Sequence, residues 1–189
     1  GMKAAGAEAE LTEIDSRFGD ADHGLTMAKI AGAIAGAADR AEGGVQAMLD
    51  DAACAVMTLN GGSAVPLWNT WLDGMQEAAP EDGEIDVPGL QAVFAKGLEE
   101  LGDMSGAQVG DKTMMDALIP ASEAIAAYEG ADEGGLFAAA AQAAMEGAEA
   151  TRQFVSKFGR AKSYGEKTIG TPDAGAMSMA YFFQGLAQM

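Results

Sequence analysis

Gly19-Asp20-Ala21-Asp22-His23-Gly24-Leu25-Thr26-Met27-Ala28-Lys29-Ile30-Ala31-Gly32-Ala33-Ile34 joins an acidic turn to an apolar helical run. Its second half sets the fold class. Met27, Ile30 and Ile34 recur at helical spacing, and alanine fills the positions between them. The same pattern returns along the chain, as at Leu90, Val93, Phe94 and Leu98, while β-branched residues are sparse. The periodicity predicts helices over about 4–14, 25–40, 44–59, 64–79, 87–101, 112–128, 133–158 and 175–188. Stops are read at Gly43, Gly61-Gly62, Pro80, Gly102, Gly130 and Gly159. Eight helices with no repeat and no long linker imply an all-α bundle or barrel in a single domain over 1–189. Residues 80–86 read as an acidic surface loop, and Gly1 before Met2 as a tag remnant.

The first half of the stretch carries chemistry. With Asp15, it puts three carboxylates into eight residues. Such a cluster repels itself unless a cation sits inside it, and hard oxygen donors beside a phosphate suit magnesium. The alternative is an acidic loop in which Asp20 or Asp22 caps the next helix. Alternation about Ala21 points the two side chains apart in extended backbone, so a metal site requires a tight turn here. His23, the one histidine, could contact a ligand, bind a metal or act as a cap.

Composition narrows the partners. The net charge of -18, from 29 acids against 11 bases, disfavours nucleic acid and anionic membranes. No apolar run reaches the ~18 residues of a membrane span, and no secretory leader is read, so a cytoplasmic location is expected. Cys54 is the single cysteine. It excludes an intrachain disulfide, and its apolar neighbours predict a small core residue.

Three further stretches deserve a reading. Asn60-Gly61-Gly62-Ser63-Ala64 precedes a helical run; its free amides could take phosphate, or it is an ordinary helix start. In Gly110-Asp111-Lys112-Thr113-Met114, Asp111 reads as an N-cap, which puts Lys112 against the helix dipole. That lysine is either solvated or kept for another purpose. Lys157, Arg160, Lys162 and Lys167 gather four of the eleven bases in eleven residues. They suit phosphate contact, or they complete a helix end near Gly159.

Taken together, Gly-Asp-Ala-Asp-His-Gly at 19–24, Gly-Gly-Ser-Ala-x-Pro-Leu at 61–67, Gly-Asp-Lys-Thr-Met at 110–114, and Gly-Arg-Ala at 159–161 continuing to Asp-Ala-Gly-Ala at 173–176 resemble the nucleotide-binding (L) subunit of dihydroxyacetone kinase. They equally resemble the C-terminal domain of single-chain ATP-dependent dihydroxyacetone kinases. The resemblance implies a closed barrel of about eight antiparallel helices with the nucleotide at one end. It implies two Mg2+ ions on Asp15, Asp20 and Asp22. Around ADP or ATP it implies His23, Gly24, Leu25, Thr26, Gly62, Ser63, Ala64, Ser105, Gly106, Met114, Arg160, Asp173, Ala174 and Gly175, with Arg160 also as the catalytic counter-charge. This chain departs from the family pattern in its Ser63-Ala64-Val65 order, and in Thr26, Ser105, Thr171 and Ala174. The implied activity is phosphoryl transfer to a ketose held by a separate kinase subunit, since no residue here is an evident base for a sugar hydroxyl. Other expectations are a phosphotransferase-system phosphocarrier as alternative donor, room for a homodimer, another acceptor such as erythrulose or a fatty acid, or a nucleotide-sensing partner of a regulator.

Overall fold

The computed structural model describes residues 7–189 and is all-helical over them. Its helices are α1 Glu8–Ser16, α2 His23–Arg40, α3 Val45–Met57, α4 Ala64–Ala78, α5 Val87–Ser105, α6 Met115–Ala126, α7 Glu133–Ala150 and α8 Ala174–Leu186. Two 3₁₀ segments, Thr151–Gln153 and Arg160–Thr168, lie between α7 and α8. The expected opening helix, 4–14, starts outside the described residues.

Each helix packs on the next, and α8 returns to α1, so the ring closes. Sequential neighbours joined by short turns run antiparallel. The starts of α2, α4, α6 and α8 therefore share one end. Apolar stripes make the ring's interior. In α4, Val65, Trp68, Trp71, Leu72 and Met75 fall on one buried face. Their indoles meet Phe94, Phe182 and Phe183 edge-on or tilted, with Trp71 and Phe182 centroids 5.2 Å apart.

Local chemistry sets the ends. The Asp86 carboxylate accepts from Gly89 N–H at 2.9 Å and opens α5; Asp132 does the same for α7 through Gly135 N–H at 2.6 Å. Helix α5 runs through Gly102 and stops at Gly106, whose φ of 63° makes the left-handed cap. Gly102 is therefore no stop. Proline at 120 cannot donate to the Asp116 carbonyl four residues back, and α7 comes close there because residue 147 is glycine.

Other expectations are corrected too. Helix α7 ends at Ala150 and not at 158, because the Thr151 hydroxyl donates back to the Ala148 carbonyl and residue 154 turns extended. Gly159 accordingly ends no helix. Helix α6 starts at Met115 and not at 112. Asp111 caps no helix: its carboxylate accepts from Gln108 N–H and from Lys157 Nζ. Cys54 is exposed, because Leu49, Ala52, Ala53 and Val56 take the inward face of α3.

Candidate nucleotide and metal site

A cavity of about 630 Å³ opens at the end of the ring where the four even helices start. His23, Ala64, Met114 and Ala174, each at or beside one of those starts, all border it. First-turn amides lack intrahelical partners, and the helix dipoles add partial positive charge, so this end favours an anion.

Opposite charge stands beside it. Asp15 sits on the last turn of α1, and Asp20 and Asp22 sit in the turn before α2. One carboxylate oxygen from each lies within 4.8 Å of the others. Two backbone features make this convergence. Ala21 adopts φ 61°, a left-handed value rare for a residue with a side chain, which folds the alternating aspartates toward one point. At position 19 a Cβ would land on the Asp15 carboxylate, so only glycine lets that carboxylate stand over the turn. Asp15 Oδ2 accepts from Asp22 N–H at 3.2 Å and His23 N–H at 3.4 Å. Asp22 holds the N-cap position of α2 but its side chain caps nothing. The capping alternative for Asp22 is thereby removed.

The cluster is electrostatically tense. Burial, then the charges of Asp20 and Asp15, push the Asp22 carboxyl above the usual carboxylate range, while Arg160 pulls it down. Arg160 reaches in from the 3₁₀ segment and pairs with Asp20. The donor set is all carboxylate oxygen, with no thiolate or imidazole, which fits a hard divalent ion such as magnesium. A bound cation would reverse the repulsion at Asp22.

His23 Nε2 lies 3.2 Å from Ser178 Oγ, whose hydroxyl donates to the Gly175 carbonyl at 2.8 Å. That serine oxygen is left to accept from the ring. Burial lowers the His23 pKa, so the ring is neutral at pH 7. Asp173 caps α8 by accepting from Ala176 N–H at 2.8 Å, and burial raises its carboxyl to about 7.

The structure brings together most of the residues expected at the site. Asp15, Asp20, Asp22, His23, Thr26, Gly62, Ser63, Ala64, Ser105, Met114, Arg160, Asp173, Ala174 and Gly175 border the cavity. Three do not. Gly24 lies at the α1–α2 contact against the Glu8 carbonyl, Leu25 points outward at 49% exposure, and Gly106 is the α5 cap. Sequence reasoning missed Phe18, Trp68, Ser156 and Phe158, which also border it. Nothing in their spacing marked them. Lys112 was noticed for its place against a dipole, but it precedes the helix at φ 61° and is buried. Burial lowers its pKa, and Asp173 acts against that shift.

Fold and cavity together define an all-helical ring whose cavity is bordered by an acidic turn and four helix starts. Within that class the chain belongs to the DAK2 domain family, whose model matches residues 17–188. D-erythrulose kinase of Mycolicibacterium smegmatis is 38% identical over 181 residues, covering 93% of this chain and 31% of its own length. The ADP-binding subunit of the PEP-dependent dihydroxyacetone kinase of Escherichia coli is 29% identical over 183 residues, covering 94% of this chain and 86% of its own. The crystal structure of the C. freundii dihydroxyacetone kinase in complex with AMP-PNP and Mg2+ superposes with a TM-score of 0.70 at 26% identity, covering 98% of this chain and 31% of that one. The chain thus spans about a third of the length of the erythrulose kinases it matches.

Proposed function

We propose that this chain is the nucleotide-binding phosphotransfer unit of a dihydroxyacetone-type ketose kinase. The observation that carries the reading is the convergence of three carboxylates within 4.8 Å on a cavity that four helix starts border. A nucleotide diphosphate or triphosphate with its magnesium ions is a ligand that satisfies both halves. The names of the Escherichia coli and C. freundii relatives, which bind ADP and AMP-PNP with Mg2+, support it.

Asp15, Asp20 and Asp22 would hold two Mg2+ ions. When bound, those ions neutralise phosphate charge and orient the transferring group. Amides at Gly62 to Ala64 and at Ala174-Gly175 would take phosphate oxygens. Thr26 and neutral His23 would border the phosphate chain, and Ser105 and Met114 the base. Arg160 would exchange its Asp20 partner for the phosphate and balance charge as the bond to the donor breaks. Transfer here is positioning plus charge stabilisation.

The acceptor would be held by another unit, either a separate chain or a further domain, and a phosphocarrier remains the alternative donor to ATP. Among acceptors, the 38% identity to D-erythrulose kinase favours erythrulose beside dihydroxyacetone. The test is reconstitution. With Mg–ATP and either ketose, the chain alone should form no sugar phosphate, and addition of the acceptor-binding portion of D-erythrulose kinase should restore transfer. Sugar phosphate formed by the chain alone overturns the divided-labour reading.

A further inference from the structure

Lys112 is 4% exposed, and no carboxylate among the described residues forms an ion pair with it. Its ammonium instead donates to four backbone carbonyls: Thr151 at 2.7 Å, Phe154 at 3.2 Å, Thr168 at 2.8 Å and Thr171 at 2.6 Å. Three N–H groups serve four acceptors, so one proton is shared. Burying a lysine charge is costly unless its hydrogen bonds are met, and Lys112 also sits at φ 61°. Two unfavourable choices at one residue point to a purpose.

The four carbonyls are not scattered. Thr151 and Phe154 lie just before the loop that carries Arg160, and Thr168 and Thr171 lie just after it. The ammonium closes the neck of that loop from inside, as a monovalent cation would in a carbonyl cage. Further along, the loop is tied at two places: Lys157 N–H donates to the Asp111 carbonyl at 3.1 Å while its Nζ pairs with the Asp111 carboxylate at 2.6 Å, and Tyr164 packs on Phe18 with ring centroids 5.2 Å apart. The loop is 3₁₀ in character, with positive φ at Gly159 and Gly165, and short 3₁₀ turns hold themselves poorly. Other neck bonds run alongside the clasp, among them Gly170 N–H to the Arg152 carbonyl at 2.7 Å, Ser156 N–H to Thr168 Oγ1 at 3.1 Å, and Asp173 N–H to Thr151 Oγ1 at 2.8 Å. Arg160 at the tip pairs with Asp20.

We propose that Lys112 is a positioning residue whose ammonium clasps the neck of the Arg160 loop and so sets where that guanidinium stands over the aspartate cluster. The proposal deepens the nucleotide reading above and rests on it. Lys112 borders the cavity, but its ammonium protons are taken by the four carbonyls, and it acts through Arg160.

The test compares wild type, Lys112→Met, Arg160→Ala and the double variant. Calorimetric titration with Mg–ADP should show Lys112→Met binding roughly tenfold more weakly, and no further loss when it is added to Arg160→Ala, the signature of one coupled unit. Hydrogen exchange on ligand-free protein should show faster exchange across 155–170 with the helices unchanged. Wild-type affinity in Lys112→Met, an equal loss in the Arg160→Ala background, or unchanged exchange in the loop overturns the proposal. Should Lys112→Met fail to fold, Lys112→Gly, which suits the positive φ, carries the same measurements. If wild type itself ignores Mg–ADP, the nucleotide reading fails, while the exchange comparison still decides the clasp.

Discussion

Asp173 shows how much one residue's surroundings add to its identity. In sequence it is an acid before a helix, and in the structure it is the cap of α8 on the cavity wall. Burial lifts its carboxyl from 3.8 to about 7. The folded chain therefore keeps a proton that the unfolded chain releases, and Asp173 costs stability progressively as pH rises from 3.8 to about 7. Asn keeps the cap and loses the titration. Melting of Asp173→Asn against wild type should show the variant gaining relative stability as pH rises through that window; a constant difference would sink the assignment. Other residues were legible to different depths. Asp15, Asp20 and Asp22 announced themselves by density. The left-handed turn at Ala21 left no trace, because alanine is no signal of positive φ. The carbonyl cage of Lys112 was equally silent, since its acceptors are backbone atoms whose identity the side chains do not encode. Cys54 misled because its immediate neighbours are apolar, whereas exposure follows the face of the helix.

At the level of elements, periodicity found the helices and mistook some of their ends. Ends came out well where a carboxylate cap or a break coincided, as at Asp86 and Pro80. They came out badly where no glycine or proline marked the true end, as beyond Ala150, where Phe154, Val155 and Phe158 carried apolar residues on to Gly159, or where Asp111 imitated a cap. The charged 3₁₀ segment at 160–168 has no apolar period to read. Packing between elements gives a paired prediction. A Cβ at Gly147 would land on the Asp116 carbonyl across the α6–α7 contact, whereas one at Gly32 meets nothing within 4 Å. Gly147→Ala should destabilise by ~1–3 kcal/mol through overpacking. Gly32→Ala, in the exposed middle of α2, should stabilise by ~0.5–1 kcal/mol through reduced chain entropy. Urea unfolding of both variants measures the contrast, and equal effects would contradict the close approach of the two helices.

For the whole molecule, the decisive fact is topological. An antiparallel ring puts the starts of α2, α4, α6 and α8 at one end, and the acidic turn at the same end. No single window of sequence shows this. Four separated motifs in family order implied it, and local patterning alone reached an all-α bundle or barrel without choosing between them. With a net charge of -18, the chain would repel a free nucleotide at long range. The helix starts, Arg160 and a divalent cation together provide the local reversal that binding needs. The central claim is that the aspartate cluster holds that cation for a nucleotide. The direct measurement is calorimetric titration of ADP into wild type and into Asp20→Ala/Asp22→Ala, with magnesium and with chelator. Binding by wild type in magnesium only, and none by the variant despite an unchanged helical circular dichroism spectrum, is the predicted result. Magnesium-independent binding by wild type, or unchanged ADP affinity in the variant, would contradict it.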